Sequence, residues 1–129
     1  MIFLCVAKEE RMRRFYYLSS CDSCKRIAKE LPLDERITQI DIKKTPLNNA
    51  EVEDLHQLSG SYEALINKRA QLYKQRGLKD QNLTEADYKK LLLEHYTFLK
   101  RPVLVYDTTL FVGNASKTVE EAKAFLNER

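Results

Sequence analysis

Apolar and polar residues follow two different rhythms along this chain, and each change of rhythm marks an element. The aromatic run Arg13-Arg14-Phe15-Tyr16-Tyr17-Leu18 reads as a strand and ends in Ser19-Ser20. From Cys21 the spacing turns helical, with Ile27, Ala28 and Leu31 on one face, and Pro32 marks the end of that helix. Arg36 to Ile42 alternates imperfectly but is rich in β-branched residues, which predicts a second strand. Strand, helix and strand in this order predict a right-handed crossover between two parallel strands.

Beyond Pro46 and Asn48-Asn49 the helical period takes over. One helix is expected from about Ala50 to Leu58, with Val52, Leu55 and Leu58 inward, stopped by Gly60. A second restarts at Ser61 and runs through Leu65 and Ile66 towards Tyr73, until Gly77. Thr84-Glu85-Ala86-Asp87 resembles a capping box, followed by Tyr88, Leu91, Leu92 and Tyr96 at helical spacing. Residues 48–97 therefore read as an all-helical block. The chain then returns to sheet: Val103-Leu104-Val105-Tyr106, a turn at Asp107-Thr108-Thr109, and Leu110-Phe111-Val112 ended by Gly113 predict an antiparallel hairpin. Thr118-Val119-Glu120-Glu121 predicts a capping box that opens a last helix.

The resulting order is β-α-β, a helical insertion at about 48–97, then β-β-α. That is an α/β, thioredoxin-like arrangement: a mixed four-stranded sheet with helices on both faces. Residues 1–11 are apolar up to Ala7 and then charged, so they read as an N-terminal appendage to a domain spanning 12–129. The apolar stretch is too short to cross a bilayer and lacks the charge and cleavage site of a signal peptide.

Composition narrows the functions without choosing one. With 129 residues, 43% hydrophobic and 32% charged, the chain is long enough to bury a core without disulfide staples. A net charge of +3 does not by itself imply nucleic acid. The basic run Lys68-Arg69, Lys74, Arg76 and Lys79 reads as a solvated helix face, since acidic residues balance it elsewhere. Three cysteines are too few for a secreted disulfide framework, which favours a reducing cytoplasm.

Within that compartment the pair Cys21-x-x-Cys24 carries the candidate chemistry. Cys21 stands at a strand-to-helix junction, where free backbone N–H groups and the helix dipole favour an anion. A thiol pKa of about 8.5 can fall to about 3.5–7.5 in such a setting. Lys25 and Arg26 add positive charge nearby, and Asp22 reads as a solvated cap. Two cysteines at this spacing are also compatible with half a zinc site or with small buried residues. Zinc asks for about four ligands, and Cys5, His56 and His95 stand at no recognisable spacing, so no metal is expected. Cys5 and both histidines are given no catalytic role.

Three motifs in order carry a family resemblance: Cys21-x-x-Cys24-Lys25, then Leu65-Ile66-Asn67-Lys68-Arg69 with Tyr73 and Gly77-Leu78, then Leu99-Lys100-Arg101-Pro102-Val103. Across about residues 13–127 the chain resembles the ArsC/Spx family of arsenate-reductase-like proteins. The resemblance implies Cys21 as nucleophile, Arg101 beside it, and Pro102 as the cis-proline that thioredoxin folds set against the active thiol. It also implies a substrate-binding neighbourhood at Asn67, with Arg69 close by but out of register. The arginines that hold arsenate in such enzymes have no counterpart at Asn67 or around Phe111 and Val112. Cys24 matches the second cysteine of redox-switch members and is expected to act as resolving thiol. No bound cofactor is implied. Glutathione with glutaredoxin, or thioredoxin, would act as external reductant of a thiol-dependent oxidoreductase. The other class of function within the same resemblance is an Spx-like transcriptional regulator whose disulfide switches binding to RNA polymerase.

Overall fold

The computed structural model describes residues 12–128, and these form two compact units, one of 12–41 with 101–128 and one of 42–100. The expected appendage at 1–11, with Cys5, lies outside the described residues.

The first unit holds the sheet. Strands β1 (Arg13–Tyr17), β2 (Thr38–Asp41), β3 (Val103–Tyr106) and β4 (Thr109–Val112) lie in the order β2-β1-β3-β4. β1 pairs with β2 in parallel and with β3 antiparallel, and β3 pairs antiparallel with β4. The mixed four-stranded thioredoxin-like sheet is therefore the observed fold. Phe15 stands opposite Leu104, and Leu104 opposite Phe111, so one face of three strands presents large apolar side chains. Helix α1 (Asp22–Glu30) brings Ile27 to that face, with Leu31 just past its end. The last helix of the chain, Ser116–Glu128, adds Val119, Ala122 and Leu126. Both helices of this unit thus pack on the same apolar face of the sheet. β3 is buried at every position, which is why it reads as a continuous apolar run and not as an alternation.

Two local details depart from the sequence pattern. The last helix begins at Ser116, and the Val119 N–H already donates to the Ala115 carbonyl at 3.0 Å, so Thr118 lies inside the first turn instead of capping it. The hairpin loop is tighter than expected. Tyr106 pairs with Thr109, so only Asp107 and Thr108 make the turn, and Asp107 takes a left-handed φ of 58°.

The second unit contains α2 (Asn49–Ser59), α3 (Gln71–Gln75) and α4 (Glu85–Glu94), which makes the last helix of the chain α5. Asn48 and Glu51 cap α2 reciprocally, and Gly60 ends it with a left-handed φ of 79°. Thr84 and Asp87 cap α4 in the same way, as their spacing predicts. The helix expected from Ser61 to Gly77 does not form as one piece; only its last part, α3, is α-helical. The Glu85 carboxylate accepts the N–H groups of Tyr62 at 2.7 Å and Glu63 at 3.2 Å, at the start of a short 3-10 turn at Glu63–Leu65. The Asn67 N–H donates to the Phe98 carbonyl at 2.7 Å, and the Lys100 N–H to the Leu65 carbonyl at 2.8 Å. These bonds set Ile66 opposite Leu99 in an antiparallel bridge, which satisfies backbone groups that a helix would otherwise have claimed. Tyr96 likewise falls outside α4, in a 3-10 turn whose Thr97 N–H donates to His95 Nδ1 at 3.2 Å. No helix among the described residues is long and apolar enough to cross a membrane.

Candidate active site

β1 delivers the chain to Leu18, and Ser19-Ser20 turn it into α1. The Cys21 N–H donates to the Leu18 carbonyl at 3.0 Å and closes that turn. Cys21 itself is the N-cap of α1, with extended φ −100° and ψ 117°. Its carbonyl accepts the Lys25 N–H at 3.2 Å, while its sulfur faces the N–H groups of the first turn. One turn further, Cys24 joins Ile27 on the buried face of the helix.

The two thiols have opposite electrostatics. Burial raises the Cys21 pKa, but the Cys24 N–H, the Cys24 thiol, the Arg101 charge and the Ser23 N–H together outweigh it, and the net shift is downward. Cys24 is 0% exposed. Burial pushes its thiol up to about 11, with charge on Cys21 adding to the rise, while a backbone hydrogen bond with Leu18 and the Arg101 charge work the other way. Cys21 is partly exposed and both sulfurs are free thiols.

Arg101 reaches this pair from the other end of the chain, just before β3. The Arg101-Pro102 peptide is cis, as the resemblance implies. The Pro102 carbonyl accepts the Gly113 N–H at 2.9 Å, which ties the entry of β3 to the end of β4. Pro102 is buried and borders a small apolar pocket together with Phe15, Ile27 and Phe111.

Cys21, Cys24 and Arg101 are therefore brought together. Among the largest influences on Cys21 the fixed charge is that of Arg101, ahead of the neighbouring Lys25 and Arg26. Both side chains are exposed, and Arg26 pairs with Glu30 at 3.4 Å. Helical periodicity could not show this, because it reports only neighbours along one element. Asn67 and Arg69 belong to the second unit. There Asn67 Oδ1 accepts the Arg69 N–H at 3.0 Å, and the Arg69 side chain is exposed. In the basic run, Lys68 pairs with Glu63 and Arg76 with Glu94. Among the described residues no three His, Cys, Asp or Glu side chains are grouped to hold a metal.

One residue near the turn escaped the pattern. Asp41, at the end of β2, is buried at 9% exposure, and its Oδ1 accepts the Ser19 N–H at 3.4 Å. The only sign of it in the sequence is an acidic residue set between Ile40 and Ile42 in a β-branched run.

A family model described as the ArsC family matches residues 16–122. The chain belongs to the ArsC family. Three solved structures show how far the likeness of this ArsC-family protein extends. A protein of Bacteroides fragilis described as related to the ArsC family is 23% identical, with TM-score 0.73, over 87% of this chain and 98% of that one. A structure from Streptococcus mutans UA159 described as a possible arsenate reductase is 28% identical, with TM-score 0.66, over 85% and 98%. Arsenate reductase from Vibrio cholerae is 21% identical, with TM-score 0.71, over 85% and 96%. No curated protein sequence gives a significant match. The ArsC-family protein thus has an arsenate-reductase-like fold, and its four-stranded mixed sheet is that of these relatives.

Proposed function

We propose that this ArsC-family protein is a cytoplasmic thiol-dependent oxidoreductase, with Cys21 as nucleophile and Cys24 as resolving thiol. The asymmetry of the two thiols supports this reading most. The partly exposed sulfur has the lowered pKa, and the buried one is held protonated up to about 11. In the first step the Cys21 thiolate attacks one sulfur of a substrate disulfide R–S–S–R′. The new bond is Cys21–S–S–R, and R′S⁻ leaves. With Cys21 bonded, its negative charge no longer opposes ionisation of Cys24, and Arg101 remains as the fixed cation beside it. Cys24 gives its proton to solvent and attacks Cys21 Sγ, RS⁻ leaves and takes up a proton as RSH, and a Cys21–Cys24 disulfide remains. An external thiol then restores both sulfurs, with two glutathione molecules becoming glutathione disulfide, or a glutaredoxin or thioredoxin dithiol becoming its disulfide.

The test is a trapping experiment with a glutathionylated peptide. Cys24→Ser should accumulate a mixed disulfide on Cys21, seen by intact-mass spectrometry, and Cys21→Ser should form none. Full turnover by Cys24→Ser, with no trapped species, would overturn the dithiol reading.

A further inference from the structure

The turn that precedes the cysteine pair is anchored by a buried acid. Asp41 is the one charged side chain among the described residues that is buried in the core. It closes β2, opposite Tyr17 in the parallel register, so its carboxylate stands where β1 gives way to the Ser19-Ser20 turn. There Asp41 Oδ1 accepts the Ser19 N–H at 3.4 Å. The residue before Ser19 meets both cysteines: the Leu18 carbonyl accepts the Cys21 backbone N–H at 3.0 Å, and the Leu18 backbone hydrogen-bonds the Cys24 thiol. Asp41 thus fixes the short segment from which both cysteines take their backbone contacts. Burying a carboxylate is costly, and a core position there would otherwise favour another Ile or Val.

We propose that Asp41 is a positioning residue of the dithiol site: by holding the Ser19 N–H it keeps Leu18 in place, and so keeps Cys24 covered and aligned behind Cys21. This rests on the dithiol reading of Cys21 and Cys24. It adds that the order of reactivity, with an open attacking thiol and a shielded resolving one, depends on a carboxylate from the neighbouring strand.

Two readouts test it, made on the full chain in the reduced state: the alkylation rate of each cysteine against pH, and the lifetime of the glutathione mixed disulfide on Cys21. In Asp41→Ala, Cys24 should be labelled about tenfold faster and the mixed disulfide should persist about tenfold longer, the scale set by one lost hydrogen bond to a charged group. Asp41→Asn keeps an oxygen that can accept the Ser19 N–H and should restore both values. Ser19→Pro removes the donor while leaving the Asp41 side chain in place and should reproduce the Ala phenotype, which keeps the test open even where Asp41→Ala fails to fold. A folded Asp41→Ala, or a folded Ser19→Pro, with wild-type labelling and wild-type lifetime would overturn the proposal. Failure of the dithiol reading looks different: the wild-type mixed disulfide would then not resolve through Cys24 at all.

Discussion

Burial works against charge on Cys21, and the Cys24 thiol answers it by facing the Cys21 sulfur as a hydrogen-bond donor. The buried member of the pair therefore helps ionise the exposed one, and charge on Cys21 in turn holds Cys24 protonated. A single substitution at either position disturbs both.

This coupling sets the pH profile of labelling. Alkylation of Cys21 should persist below the range of an ordinary thiol, because its pKa is lowered, whereas Cys24 should resist until pH nears 11. Removing the fixed charge with Arg101→Ala should raise the Cys21 midpoint, since the Arg101 charge is among the causes that lower it. Iodoacetamide rates read by mass spectrometry check both. A midpoint unmoved in Arg101→Ala, or Cys24 labelled first, would count against the assignment.

Stability of the reduced protein should also register Cys24. Its pKa is about 11 folded against 9.0 unperturbed, so between these values the unfolded chain has lost a proton that the folded chain keeps. Stability then falls as pH rises through that window. Cys21 does not cancel this, since its lowered pKa adds stability that is complete once pH exceeds the unfolded value. Denaturant melts at pH 8.5 and pH 10.5 (roughly the two sides of the onset) should show a larger loss for the wild type than for Cys24→Ser. Equal losses would mean that Cys24 ionises in the folded state as freely as in the unfolded one.

Arsenate should be handled less well than a disulfide. Of the cations implied by the family resemblance, Arg101 stands in place, position 67 is a neutral amide whose oxygen already accepts the Arg69 N–H, and Phe111-Val112 carry no charge. Each missing charged hydrogen bond forfeits roughly 1.5–3 kcal/mol, or about one to two powers of ten in rate. Parallel turnover assays with arsenate and a glutathionylated peptide, both with glutathione and glutaredoxin supplied, should favour the peptide by at least about tenfold. Faster reduction of arsenate would restore the simpler arsenate-reductase reading.

A fourth expectation concerns the hairpin that follows Pro102. Arg13 holds both Asp107 oxygens, at 3.1 and 3.2 Å, and its guanidinium lies 4.4 Å from the Tyr106 ring centroid. Asp107 also adopts φ 58°, a conformation that Ala resists and Gly accepts. Asp107→Ala and Asp107→Gly lose the same ion pair and differ in the backbone. Ala should therefore be the less stable by about 1 kcal/mol in denaturant titration. Equal stabilities would mean that the turn relaxes away from the left-handed conformation.

The sequence by itself determined the elements whose causes are local. β1, the start of α1 at Cys21, the hairpin around Asp107 and the Thr84–Asp87 capping box all follow from residues a few positions apart, where periodicity and capping chemistry act. Their order sufficed for the sheet and the family. Only the tertiary structure decided what distant residues do to one another. Ser61 to Gly77 has helical spacing, yet the backbone at 98–100 claims the Leu65 carbonyl and the Asn67 N–H, and the long helix is broken. The leading fixed charge on Cys21 comes from Arg101, far off in the sequence, while the adjacent Lys25 and Arg26 are exposed to solvent. Asp41 gained its part in the same way. A carboxylate in a β-branched run gives no local signal, and it meets Ser19 only once β2 lies parallel to β1.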